Sequence, residues 1–338
     1  MLQSIAPGWG RGFPTTRFMW APLAALIIIA GAGCGDEEAR VGSTPVRDAT
    51  PAPFSPAARS PTELTLPIRV AVTLPLFVEF AEDMGLDNAE VISLIPPGAD
   101  PHTYAFTPAD LELMKGIDFF FYNGLGLDSR FEDAVEANRD EDAYVIPFAP
   151  NIRSPQGGDI TAEQADDNPH LWLDPTLAYV YPEIVADEFI IYDGVRRNFY
   201  STNFAAARER ILALQDEVRQ IIDTVPQERR KLVTLHNSFV HFARRFGLGE
   251  PAFLTAAPAG LVPEAEVQRI AQTVRNQGVP AVFTEFGYDS GPIDRVAAAA
   301  GVPACTLYSD IIGGEVITYR DLMLANAREI ARCLGGQP

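Results

Sequence analysis

Between residues 201 and 225 the chain runs for 25 residues without a glycine or a proline. Apolar side chains at Phe204, Ile211, Leu214, Val218, Ile221 and Ile222 follow the spacing of one helix face. At about 1.5 Å per residue such a helix is about 37 Å long. That is longer than a helix covering one small sheet needs, and it suits a strut between two lobes.

The flanking sequence has the same grammar on both sides of this stretch. Before it, apolar strands are predicted at 68–73, 91–95, 118–122 and 144–147, interleaved with helical segments at 74–84, 107–115, 131–137 and 175–189. After it come strands at 231–235, 251–254, 281–284 and 304–308, with helices at 238–245, 263–277, 293–300 and 319–334. Strands that alternate with helices indicate parallel βαβ units. The expected fold class is therefore α/β: two Rossmann-like parallel-sheet lobes, residues 64–200 and 227–338, joined by one long rigid helix at 201–226. The two halves share an architecture but no sequence repeat.

The first 63 residues read as outside this fold. Arg11 and Arg17 precede an apolar run at 19–32 that ends in small residues before Cys34, the pattern of a secretory signal. A cysteine directly after the small residues resembles a lipobox, so residues 1–33 are expected to be removed and Cys34 to be lipidated and to anchor the protein to the membrane. Gly31 stands where leucine is usual, and an ordinary signal peptide with an incidental cysteine is the alternative. Residues 34–63 are rich in Pro, Ala, Ser and Thr, as a flexible tether is. The formal net charge of −19 argues against nucleic acid as a partner, because phosphate binding needs clustered Lys and Arg. Three cysteines without a Cys-x-x-Cys exclude a thiolate zinc site of that type.

Chemistry-bearing residues gather just beyond strand and loop ends: His102, His170, His236, Glu285 and Asp310. In open α/β sheets that is where ligands bind. Three of the four histidines are in this set, His102 and His170 each following a proline. Neutral imidazoles and a carboxylate describe a zinc site well. The gaps of roughly 70 residues form no local motif, and each histidine taken alone also fits a structural role. The fourth, His241, reads as a packed or surface residue on a helix.

Several segments together resemble the zinc/manganese substrate-binding proteins of ABC importers. They are Pro96-Pro97-Gly98-Ala99-Asp100-Pro101-His102 with Thr107-Pro108-Ala109-Asp110, then Tyr122-Asn123-Gly124-Leu125-Gly126 and Pro169-His170-Leu171-Trp172-Leu173-Asp174-Pro175. Leu235-His236-Asn237-Ser238-Phe239 matches a further segment, and Thr284-Glu285 and Tyr308-Ser309-Asp310 match more loosely. The resemblance covers about residues 66–334. It implies a helix-linked two-lobe binding protein, not an enzyme, with one metal in the cleft. Carried over by position, the ligands are His102 and His170 from the first lobe and His236 and Asp310 from the second. Glu285 is a fifth donor or, preferably, an acceptor that orients an imidazole. Three imidazoles and a carboxylate favour Zn²⁺ over Mn²⁺. Many zinc members carry a histidine-rich loop before the second ligand, and 151–168 here has acids but no such histidines. The partner implied is a membrane permease, with the protein acting as an extracytoplasmic monomer. Adhesion is a role that some members are reported to share.

Asp174 reads as a helix cap, and Trp172 as core. Cys305 and Cys333 fit either a disulfide or two buried thiols. The rival functions are a zinc hydrolase with an open coordination position and a binding protein for an organic ligand such as a siderophore. Metal affinity is expected to fall below about pH 6 as imidazoles protonate.

Overall fold

The computed structural model describes residues 66–151, 168–256, 258 and 260–337. The expected signal peptide, Cys34 and tether, and most of the acidic loop before the second histidine, lie outside the described residues. The first lobe is a four-stranded sheet of β1 (Ile68–Val72), β2 (Ala89–Ser93), β3 (Phe119–Tyr122) and β4 (Tyr144–Pro147), in the order β2-β1-β3-β4. The second repeats it with β5 (Val233–His236), β6 (Ala252–Thr255), β7 (Val282–Glu285) and β8 (Ala304–Leu307), in the order β6-β5-β7-β8. Every named strand pairing is parallel.

Period-2 alternation divides each sheet between two apolar layers. In the wholly apolar β3, Phe119 and Phe121 enter the large central core, while Phe120 and Tyr122 face a smaller cluster with Met114 and Val135. In the second sheet Phe283 and Leu307 join the central core, and Val233, Leu235 and Val282 pack on Val267, Ile270 and Ile293. The central core is thus continuous from one sheet to the other. It includes Ile211, Leu214, Val218 and Ile222 of α6 (Arg197–Ile222), the long helix. Each such side chain contributes roughly 1.5–3 kcal/mol on burial.

Helix α6 packs against α1 (Pro75–Gly85), α4 (Pro175–Ala178) and α5 (Val180–Tyr192) of the first lobe and α10 (Tyr319–Leu334) of the second. Its 26 residues span about 39 Å. The helix begins before the expected 201 and ends before 226. A short turn at Gly194–Arg196 feeds it directly, and Pro226 disfavours helical geometry at Val225. The predicted helix 175–189 is two helices broken at Tyr179. Pro182 has no N–H for the Ala178 carbonyl and its ring crowds that carbonyl. The predicted strand 91–95 is β2, two residues earlier in the chain.

Two shorter helices carry loops that matter below. Helix α2 (Pro108–Leu113) starts with a capping box, in which Thr107 and Asp110 satisfy each other's backbone N–H. Helix α7 (Val240–Phe246) follows β5 and ends at Gly247, whose φ of 71° needs glycine.

Candidate metal centre

His102 sits in the loop between β2 and α2. Asp100 Oδ1 accepts from the His102 backbone N–H at 2.8 Å, and Asp100 Oδ2 accepts from the Thr103 hydroxyl at 2.7 Å. This aspartate turn, between two prolines, fixes the backbone that presents the ring. His170 follows Pro169 and is buried. Its Nδ1 lies 2.9 Å from Asn168 Oδ1, which places the proton on Nδ1 and turns Nε2 inward as a lone-pair donor. Asn123 Nδ2 donates to the Pro169 carbonyl, and Asp128 accepts from the Asn123 and Gly124 backbone N–H groups. Burial raises the Asp128 carboxyl to about 6 despite these bonds.

The second lobe supplies His236 as the last residue of β5 and Glu285 as the last residue of β7. These two neighbouring strands flank the point where the strand order reverses, the usual ligand position in such sheets. Glu285 Oε2 lies 3.0 Å from His236 Nδ1, Oε1 accepts from the His236 backbone N–H at 3.0 Å, and the Ser238 hydroxyl donates to Oε2 at 2.9 Å. The carboxylate therefore holds the ring with Nε2 facing away from it. Asp310 follows β8, with a fully buried side chain.

The fold brings His102, His170, His236 and Asp310 together, with one ligand atom of each within 4.8 Å of all the others. His170 Nε2 is 3.2 Å from His236 Nε2 and 3.0 Å from Asp310 Oδ1. His102 Nε2 and His236 Nε2 are each 3.4 Å from Asp310 Oδ2. A tetrahedron with metal–ligand bonds near 2.0 Å has edges of about 3.3 Å. These separations fit that figure. Among the described residues, His102 Nε2, Asp310 Oδ1 and, on the Glu285 side, His236 Nδ1 are buried without an aligned hydrogen-bond partner. Glu285 lies outside this foursome and touches His236 from behind.

Burial lowers His170, so its imidazole stays neutral. Burial also opposes charge on His236, but Glu285 and Asp310 outweigh it and raise the ring to about 10. Burial opposes charge on Asp310, and the surrounding imidazoles outweigh it and hold the acid well below the carboxylate range. A divalent ion with three neutral imidazoles would balance both carboxylates. The pH dependence expected near 6 from unperturbed histidines thus moves to alkaline pH at His236.

His241 stays apart from the group. It is buried on α7 with Nε2 3.2 Å from the Asn168 carbonyl, and burial lowers it to about 4. Asp174 caps α4 by accepting from the Thr176 N–H and also takes both contacts from Arg245 Nε, at 2.7 and 2.9 Å. Trp172 is fully buried. Cys305 and Cys333 form a disulfide that ties β8 to α10, and this resolves the open alternative. Their neighbour Glu329 completes a second metal-competent grouping, but the sulfurs are already bonded to each other. Three residues were not singled out from sequence. Asn123 lies inside one of the family-like segments and Asn168 directly precedes another, whereas nothing local marks Tyr288, whose hydroxyl donates to Asp310 at 2.7 Å.

A helix-spanned, two-lobed α/β molecule with a closed cluster of imidazoles and an acid belongs to the class of solute-binding proteins, not enzymes. The family described as "Zinc-uptake complex component A periplasmic" matches residues 70–333, and the chain belongs to that family. It is similar to the iron-binding protein YfeA of Yersinia pestis, 28% identical over 82% of this chain and 90% of that protein. The manganese ABC transporter substrate-binding lipoprotein PsaA of Streptococcus pneumoniae is 26% identical over 79% of this chain and 89% of its own. Among solved structures, the periplasmic zinc-binding protein TroA from Treponema pallidum superposes with a TM-score of 0.71. That likeness is one of fold, at 24% identity over 79% of this chain and 98% of TroA.

Proposed function

We propose that the protein is the extracytoplasmic substrate-binding component of an ABC importer, taking one divalent transition metal between its lobes and handing it to a membrane permease. His102, His170, His236 and Asp310 are the ligands, and Glu285 orients His236. Zinc is the preferred cargo and manganese the next. The observation that carries this reading is the convergence of three imidazole nitrogens and Asp310, two residues from each lobe, at separations close to the edges of a four-coordinate site. Imidazole-rich, four-donor sets suit zinc, whereas manganese favours more oxygen donors. The named relatives bind iron and manganese, so the choice of metal rests on the donor set of this chain. Cys34 carries the lipid that keeps the protein at the membrane, and the protein works as a monomer.

Native mass spectrometry of protein purified without chelator should find one metal ion per chain. Tight binding should disappear in His236→Ala. Competition calorimetry with Zn²⁺ and Mn²⁺ should rank zinc first. If His236→Ala kept one-to-one tight binding, the site assignment would be wrong, and a manganese preference would reverse the order of cargo.

A further inference from the structure

The side chain of Asn168, buried two residues before His170, reaches both lobes. On one side its Oδ1 accepts from the His170 backbone N–H at 3.1 Å and lies 2.9 Å from His170 Nδ1. On the other side its Nδ2 donates at 2.5 Å to the carbonyl of Asn237, the residue that follows His236. Two backbone groups with fixed roles set the orientation of this amide. The His170 N–H only donates, and the Asn237 carbonyl only accepts. With its oxygen turned to His170, the amide takes the Nδ1 proton and leaves Nε2 for the ion. The Asn168 backbone carbonyl also faces the second lobe, 3.2 Å from His241 Nε2 on α7. One residue of the first lobe thus meets the second on both sides of the turn between β5 and α7.

We infer that Asn168 is a positioning residue that ties the hold on His170 to the docking of the second lobe, and thereby sets how fast the ion leaves. The inference rests on His170 and His236 being ligands. An ion gripped from both lobes leaves as they part, and that motion must break the bond from Asn168 to Asn237. The same break frees the amide that orients His170, so one ligand loosens as another withdraws. Residue type matters here. Aspartate has the same shape and would accept the Nδ1 proton more strongly, but it has no proton for the Asn237 carbonyl and sets two oxygens against each other. Only an amide serves both contacts. Asn168 does not touch the ion and acts through His170.

The test is Asn168→Asp, made in the full mature chain and loaded with Zn²⁺. Release to excess chelator is followed by stopped flow, and proton NMR reports the His170 Nδ1–H signal. The two contacts predict opposite signs. If Asn168 served His170 alone, the charged acceptor would strengthen that ligand and slow release. With the tie to the second lobe, release becomes about tenfold faster while the Nδ1–H signal and one ion per chain persist. Asn168→Ala removes both contacts, should also release faster, and serves if Asn168→Asp does not fold. Unchanged or slower release in Asn168→Asp, or in Asn168→Ala where it stands in, overturns the inference and leaves the ligand set standing. Retention of tight binding by His236→Ala overturns both.

Discussion

The indole of Trp172 donates to the carbonyl of Ser309 at 3.0 Å, across the boundary between the lobes. Trp172 is two residues beyond His170 and Ser309 is one before Asp310, so this bond locks together two segments proposed to ligate the ion. Tyr319, at the start of α10, closes the same corner by donating to the Trp172 carbonyl at 2.9 Å. Trp172→Phe would strip a donor from the buried Ser309 carbonyl and leave a gap. A loss of about 2–3 kcal/mol in urea unfolding is expected, with weaker metal binding. Unchanged stability would mean that the corner does not hold the lobes.

Metal binding should release a proton from His236. Its pKa in the metal-free fold is about 10, above the ordinary value of 6.5. The protonated ring therefore adds stability that is fully present below pH 6.5 and is lost as pH rises through about 10. The metal needs the same nitrogen neutral, so between about pH 6.5 and 9 the apparent log affinity should climb by about one per pH unit. Calorimetry in buffers of different ionisation enthalpy should show close to one proton released at neutral pH. Affinity flat across this range would contradict the charge assignment.

Arg245 on α7 grips Asp174, and through its other branch also Thr176, on the opposite lobe. The pair is partly exposed, which limits its worth to about 1–2 kcal/mol. Arg245→Ala should lower the unfolding midpoint by that amount and speed metal release to a chelator in stopped-flow measurements, with one ion per chain retained.

His241→Asn separates packing from ligation. The ring contacts the Asn168 carbonyl and not the foursome, so stability should fall by about 1–2 kcal/mol while metal stoichiometry stays at one. Loss of the bound ion in native mass spectra would show that His241 belongs to the site.

The Cys305–Cys333 disulfide closes a loop with a sequence separation of 28. Chain entropy assigns a loop of that size about 3–4 kcal/mol. The Cys305→Ser, Cys333→Ser double variant should unfold at correspondingly lower urea. Because Cys305 precedes Asp310 on the same strand and loop, it should also bind metal less tightly, which chelator competition measures.

Much of this protein was legible in the chain itself. The glycine- and proline-free stretch specified α6, alternating apolar runs specified two parallel sheets, and Thr107-Pro108 with Asp110 specified a capped helix start. All of these follow from near-neighbour chemistry, in which backbone geometry and side-chain periodicity act over a few residues. The same local reading placed His102, His170 and His236 at strand or loop ends. It could not bring together groups roughly 70 residues apart, since that depends on strand order and on how both sheets share one core through α6. Only the tertiary structure put Glu285 behind His236, tied Asn168 to His170, and aimed Tyr288 at one oxygen of Asp310. Those partners are set by packing between distant segments in a dry interior, where every polar group must find a mate and sequence spacing carries no record of which one.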